Sequence, residues 1–576
     1  MCMSEDCEAL WLKNYGSVPH HLTYDTGSMY GMVHKIAEAY PRYPATFFMG
    51  GRVNYDELDR RILLTARALL AAGVRPGERV LICLPNLPQT VHCFYALNRI
   101  GAVAAMLHPL ATAGDIQRSA NIVRCRTAIV LDLFLDKFAG VTADGAPLRI
   151  ICVHVSTELR GVKRAAYRLL RERKAVQAQR RIPVLDWPDF MAGAARVPEL
   201  PPDGGGADDP AVVIFTGGST GTPKGALLSN LNLNAMALQT VEAGNAITEQ
   251  GSTMLAIMPM FHGFGLGVGV HTALGNGGAS ILIPRFTPKS YIQNLRWDKP
   301  NYIAGVPALF DAMIREPSAR GLDLSFLKGV FSGGDAMTPD QHRRVNEFLD
   351  AHGSPVHVRE GYGLTESVSA NCLTPEDQYR EGSIGVPYPD VYFKIVKPGT
   401  AEEVPVGREG EICISGPSVM LGYVDQPQET ADALRRHSDG RVWLHTGDLG
   451  RMDGDGYFYF IQRIKRIIVT NGYNVYPSQV EQVLEAHPLV DRCCVVGVPD
   501  EHRGQRVQAY IQLIRGTAPS DEVRRDLSAY ISHAVAAYAK PRDLFFTDEL
   551  PTTLVGKVDF YRLSHQGADS QGEAES

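Results

Sequence analysis

Apolar and polar positions along this chain alternate between two periods. Residues 78–107 read ERVLICLPNLPQTVHCFYALNRIGAVAAML. An apolar run from Val80 to Leu84 meets a Pro-Asn break. Val91, Phe94, Tyr95, Leu97 and Ile100 then recur at helical spacing, and Gly101 precedes a second apolar run. This order predicts a β-α-β unit, whose parallel strands are apolar on both faces because helices cover both. Similar runs at Thr127–Leu131, Leu148–Val155, Ala211–Thr216 and Ser280–Pro284 extend the pattern. An α/β architecture with parallel-type sheets is expected for a large N-terminal domain of several subdomains, residues 1–464.

From about residue 465 the texture changes. Cys493–Val498 and Val507–Leu513 flank a polar turn, PDEHRGQR, with helical patterns at Pro477–His487 and Ser520–Tyr538. A separate, smaller α+β domain is expected over 465–562. The small, polar residues 563–576 predict a disordered tail.

Composition narrows the class. The 576 residues are 45% hydrophobic and 21% charged, ordinary for a globular protein with large cores. Lys and Arg number 57 against 63 Asp and Glu, a balance that argues against a nucleic-acid binder driven by overall charge. The ten cysteines form no CxxC pair and read as buried thiols in a reducing compartment. The N-terminus carries acids where a signal peptide needs bases, and no run approaches the roughly 20 apolar residues of a membrane span. A cytoplasmic location is expected. Residues 160–181, RGVKRAAYRLLRERKAVQAQRR, set nine Arg or Lys against Glu172 alone. Val162, Ala166, Leu169 and Leu170 line one face of a predicted helix there. The first reading is a solvated surface helix; the second is a basic amphipathic helix making peripheral contact with anionic lipid.

The densest chemistry lies at 215–225, FTGGSTGTPKG, between an apolar strand and a predicted helix. The backbone N–H groups of a glycine-rich turn converge on phosphate oxygens because no side chains intervene. Ser219, Thr220 and Thr222 add hydroxyls and Lys224 a positive charge. The Walker pattern is excluded, since Gly225 follows Lys224 where Ser or Thr is needed. A surface turn explains the loop alone equally well. Further candidates follow. EGYGLTES (360–367) leaves a face of Tyr362 open between Gly361 and Gly363, and Thr365 and Glu366 offer oxygen ligands suited to magnesium. SGGDAM (332–337) is a tight turn, and WLHTGDL (443–449) places a carboxylate, Asp448, after a glycine.

In this order, with MPMFHGFGL (258–266), GEICISGPSVMLGY (410–423), RIKRIIVTNGYNVYPSQVE (463–481) and LPTTLVGKV (550–558), the motifs closely resemble the acyl-adenylate-forming enzymes. That group holds acyl-CoA synthetases, luciferases and peptide-synthetase adenylation domains. The resemblance runs from about residue 30 to 562. It implies ATP-dependent activation of a carboxylic acid to acyl-AMP, releasing pyrophosphate, then acyl transfer to a thiol. It assigns Thr216, Gly217, Gly218, Ser219, Thr220, Gly221, Thr222 and Lys224 to the ATP phosphates. Thr365 falls near the α-phosphate, with Glu366 on Mg²⁺. Tyr362 and Gly363, with Gly334 and Asp335, flank the adenine. Asp448 and Arg463 fall on the ribose. Lys557 contacts the carboxylate and α-phosphate, Lys465 is the hinge of a mobile small domain, and Gly472 lies by the pantetheine of coenzyme A. Two departures stand out: Gly217-Gly218-Ser219 replaces the usual Ser-Gly-Thr, and LPTTLVGK replaces LPRTxxGK.

His262, with Phe261, falls where the family's acyl pocket begins. No Asp stands nearby to hold an ammonium group, which disfavours an amino acid. Gly263, Gly265, Gly267 and Gly269 are poor helix formers, each costing about 1 kcal/mol against Ala. They read as leaving room for an acyl chain, with close helix packing as the alternative. A medium- or long-chain fatty acid is expected, with an aryl acid next. No carrier domain follows residue 562, so coenzyme A is the expected acceptor. An acyl-AMP ligase loading a carrier protein, and a non-catalytic nucleotide-binding regulator, are the remaining alternatives.

Overall fold

The computed structural model describes residues 9–172, 182–216, 223–247, 249–500, 502–552 and 558–569. Its chain divides into two compact units. The first comprises residues 1–394, 413–446 and 453–458; the second comprises 395–412, 447–452 and 459–576.

The first unit holds two large sheets. One has eight strands in the order Gly422–Tyr423, Lys224–Ser229, Pro210–Thr216, Val103–Met106, Arg79–Cys83, Thr127–Leu131, Arg149–Val153 and Val184–Asp186. The last six run parallel and the first two are antiparallel additions. The second sheet has nine strands and is likewise parallel at its centre, through Ala279–Leu282, Thr253–Ala256, Tyr302–Gly305, Gly329–Ser332 and Val358–Tyr362. The expected β-α-β unit is present: Arg79–Cys83 and Val103–Met106 pair in parallel across helix Pro88–Arg99. That helix is buried from Pro88 to Asn98, so its apolar residues are not confined to one stripe. The expected α/β class therefore holds, with antiparallel edges that the apolar runs did not reveal.

One local expectation is corrected. The glycine loop does not lead into a helix; it joins two antiparallel strands, with Thr216 opposite Lys224. The helix begins only at Asn230, because Ser229 and Asn232 close a reciprocal cap there.

The second unit is built on a sheet ordered Tyr473–Val475, Ile468–Thr470, Gly504–Leu513, Val490–Asp500, with Asp543–Phe546 parallel to Gly504–Leu513. The two apolar stretches read from sequence form its central hairpin. Helices Pro477–Glu485 and Asp521–Ala534 bury Val480, Leu484, Leu527 and Ile531 against it. This is the α+β texture expected. Residues 563–569, expected in a disordered tail, continue helix Phe560–Asp569.

The basic segment forms helix Gly161–Tyr167 and a further turn to Glu172, on which Val162 is 85% exposed and Leu169 57%. Residues 173–181 lie outside the described residues. Among the described residues no helix is long and apolar enough to cross a membrane. The eight described cysteines are all buried, and none of them is in a disulfide.

Candidate active site

In the first unit the site grows from strand ends. Strand Pro210–Thr216 ends at Thr216 and its partner begins at Lys224; Gly217, Gly218, Ser219, Thr220, Gly221 and Thr222 between them lie outside the described residues. Lys224 pairs with Glu429, and its ammonium sits 4.9 Å from the centre of the Tyr423 ring. The hydroxyl of Tyr423 donates to Glu366 Oε1 at 2.8 Å. Met420 N–H donates to the backbone carbonyl of Glu366 at 2.8 Å. One tyrosine thus joins the lysine of the loop to the proposed metal carboxylate. Tyr423 stood in a motif carried only by resemblance, and no local pattern marks its bond to a residue 57 positions earlier.

Thr365 and Glu366 occupy a short helical turn, Thr365–Ser367, just past strand Val358–Tyr362. Val368 ends that turn at φ +67° and ψ −63°, a strained γ-turn for a β-branched residue. Such strain persists only where the surroundings over-determine it. Here Val368 is wholly buried and its N–H is held by Thr365 O at 3.1 Å. A Cβ on Gly263 would overlap the Val368 carbonyl, and one on Gly265 would overlap the carbonyls of Met258 and Pro259. These two glycines therefore serve close packing against backbone, not the roominess read from sequence. They belong to the approach and first turns of the π-type segment Phe264–His271.

Tyr362 sits beside an apolar cleft of about 50 Å³ lined by His262, Phe264, Phe331, Gly334, Tyr362 and Tyr388, among others. The Tyr362 ring meets Phe393 edge-on, centroids 6.1 Å apart. Gly363 has backbone in place of any side chain: a Cβ there would overlap Ser369 O. Gly334 takes φ +81°, and Asp335 beside it is exposed. His262 Nδ1 accepts from Phe264 N–H at 3.2 Å, which fixes its ring at the cleft. Burial raises the neighbouring Glu360 carboxyl to about 7.

In the second unit, Asp448 is 1% exposed within strand Val442–Met452, and Arg463 Nε lies 2.9 Å from its Oδ1. Neither the turn nor the helix cap that an isolated Gly-Asp suggests is found. Gly447 N–H donates to Glu411 Oε1 at 3.0 Å. Lys465 lies in the turn Ile464–Arg466. Gly472 adopts φ +79° between Thr470 and Tyr473, with no atom near its missing Cβ. Lys557 lies outside the described residues; its flanks Thr552 and Val558 form an antiparallel bridge.

The donor set fits a hard cation. Glu366 keeps a second carboxylate oxygen beside the one Tyr423 holds, and Thr365 supplies a hydroxyl from the adjacent position. Removing the Tyr423 hydroxyl tests that arrangement. Tyr423→Phe is expected to raise the KM for MgATP roughly five-fold, the equivalent of one hydrogen bond to a carboxylate, with little change in melting temperature. An unchanged KM across a magnesium titration would detach Tyr423 from the site.

A family model described as AMP-binding enzyme matches residues 33–424, and one described as AMP-binding enzyme C-terminal domain matches 479–557. The long-chain-fatty-acid–CoA ligase of Bacillus subtilis (strain 168) is 30% identical over 569 residues, covering 97% of this chain and 98% of that protein. The feruloyl-CoA synthase of an Amycolatopsis species is 33% identical over 524 residues, covering 90% and 94%. Among solved structures, the ATP-bound RpMatB-BxBclM chimera B1 superposes with a TM-score of 0.81 at 26% identity, covering 95% of this chain and 99% of that one.

Proposed function

We propose that this chain, which belongs to the AMP-binding enzyme family, joins a medium- or long-chain fatty acid to coenzyme A. It is an ATP-dependent, AMP-forming acid–thiol ligase. A carboxylate is a poor electrophile and its oxygen a poor leaving group. In the first step a carboxylate oxygen attacks the α-phosphorus of ATP, the P–O bond to pyrophosphate breaks, and acyl-AMP forms. In the second, the thiolate of coenzyme A attacks the acyl carbon and AMP leaves.

The observation that carries the reading is the joining of Lys224, Tyr423 and Glu366 in one hydrogen-bonded and cation–π cluster. Lys224 and the carboxylate assigned to the metal share one tyrosine, which supports a site where two anions are brought together. Thr365 and Glu366 hold Mg²⁺, which offsets phosphate charge when bound. Tyr362, Gly363, Gly334 and Asp335 bind adenine, while Asp448 and Arg463 take the ribose hydroxyls. The mutual contact of Asp448 and Arg463 in the second unit supports that pairing. Lys557 serves the first step, and rotation about Lys465 replaces it with the face carrying Gly472 for the second. His262 and the apolar cleft receive the acid. Buried thiols outside any disulfide suit a reducing, cytoplasmic setting.

An aryl acid is the second reading, favoured by the small volume and aromatic rim of the cleft. Pyrophosphate release across short to long fatty acids, aryl acids and amino acids, each with and without coenzyme A, decides between them. Turnover that needs both a fatty acid and coenzyme A is expected. An aryl acid outperforming every fatty acid establishes the second reading. Release indifferent to coenzyme A indicates another acceptor, and silence with ATP still bound indicates a regulator.

A further inference from the structure

A cleft of about 400 Å³ opens on the first unit and is lined by Arg75, Arg79, Arg124, Arg126, Arg149 and a single acid, Glu78, together with small and apolar residues. Its position is set by topology. Strands Arg79–Cys83, Thr127–Leu131 and Arg149–Val153 run parallel and all begin at this cleft. Pro210–Thr216 belongs to the same parallel set and leads to the glycine loop from its far, C-terminal end. The two places thus lie on opposite edges of one sheet, separated by strands of five residues, about 16 Å. Ligands of open α/β sheets ordinarily bind at the carboxyl ends, so this cleft is not the catalytic one.

The charges within it are not neutralised internally. The Glu78 carboxylate accepts from Arg75 N–H at 3.1 Å and from the Thr127 hydroxyl at 3.5 Å, and among the described residues it forms no ion pair with a guanidinium. Arg75 uses Nη1 on the carbonyls of Leu70 and Val74, where it complements the C-terminus of helix Tyr55–Ala71. Arg79 and Arg124 share one exposed carboxylate, Asp425, at 3.5 and 3.3 Å. Arg126 and Arg149 have no ion pair among the described residues. The Arg149 guanidinium lies across Gly73, its Nη1 3.2 Å from the place a Cβ would take, and Gly73 at φ +91° leaves that floor bare.

A purely solvated surface explains Arg75, and Asp425 explains two more arginines in part. It leaves Arg126 and Arg149 on the lining of an open cleft whose one acid, Glu78, faces five arginines. We propose that this cleft is a second anion site, which binds a small soluble molecule carrying two or more linked phosphates. Guanidiniums match phosphate oxygens in bidentate fashion, and the volume falls within the roughly 300–1,000 Å³ of small-molecule sites. The proposal stands independently of the acid chosen by the catalytic site.

Inorganic tripolyphosphate is the probe, titrated calorimetrically into the full chain. The Lys224→Ala variant removes its grip at the catalytic loop. Arg126→Glu with Arg149→Glu cancels the net positive charge of the cleft, and both arginines are exposed, so the fold is expected to survive. Tripolyphosphate is expected to bind the Lys224→Ala chain with an affinity that falls steeply with salt. Adding the two arginine reversals should weaken it at least ten-fold, and acid-dependent pyrophosphate release by the arginine variant alone should stay within two-fold of wild type. No binding to the Lys224→Ala chain, or binding indifferent to the arginine reversals, overturns the proposal. A circular-dichroism melt of each variant separates loss of the site from loss of the fold.

Discussion

Lys557→Ala is expected to slow acyl-AMP formation by about 10²-fold or more, the scale of losing one contact made in a transition state. Acyl transfer from pre-formed acyl-AMP to coenzyme A should proceed at close to the wild-type rate. The asymmetry follows from charge. The first step brings a carboxylate onto a phosphate, and a cation placed between them is worth most when the new bond is forming. The second step brings a thiolate to a mixed anhydride already formed, from which this lysine has moved away in the two-state reading. The bridge between Thr552 and Val558 ties down the two flanks of the segment, so truncating a side chain within it need not disturb the second unit's core. Lys557→Arg should recover only part of the loss, since a planar guanidinium does not replace a compact ammonium. Pyrophosphate exchange reads the first step and thioester formation from added acyl-AMP reads the second. Exchange at the wild-type rate removes Lys557 from the chemistry. Equal losses in both steps remove the alternation about Lys465 instead.

The sequence disclosed most where periodicity was long and local. Val80–Leu84 and the helix after it needed only their own spacing, and both lie where expected. The strand Lys224–Ser229 was harder. Its six residues are too few to set a period, although Ser229 and Asn232 already spelled the cap that delays the helix. The glycines at 263 and 265 misled for a different reason. What they make room for is the carbonyl of Val368 and those of Met258 and Pro259, and no spacing near a glycine tells whether a ligand or backbone will fill the space. Tyr423 shows the same limit for chemistry. Its hydroxyl gains meaning only beside Glu366, and that proximity is made by the folding of distant segments. Asp448 reads in isolation as a cap, yet it is buried in a strand, where a carboxylate is retained only with partners such as Arg463.

Gly363→Ala is expected to lower stability by about 3 kcal/mol or more and to raise the KM for ATP at least ten-fold. The reason is that nothing around the new methyl group can yield. It would overlap the carbonyl of Ser369, and that segment is fixed on every side. Ser369 N–H is held by Ser367 O at 2.8 Å, Val368 before it is already strained, and Asn371 N–H donates to Tyr362 O at 2.9 Å. Relief requires moving either Tyr362, and with it the face assigned to adenine, or the Thr365–Glu366 turn. Gly472→Ala is the control. Gly472 also resists substitution, through φ +79°, but no atom lies near its missing Cβ. Its cost should be confined to about 1–2 kcal/mol of backbone conformation, with no change in the KM for ATP. Urea unfolding and MgATP kinetics on the two variants separate steric overlap from conformational strain. If Gly363→Ala behaves like Gly472→Ala in both, the Ser369 carbonyl is free to move. The rigid placement of Tyr362 that the adenine assignment relies on then fails with it.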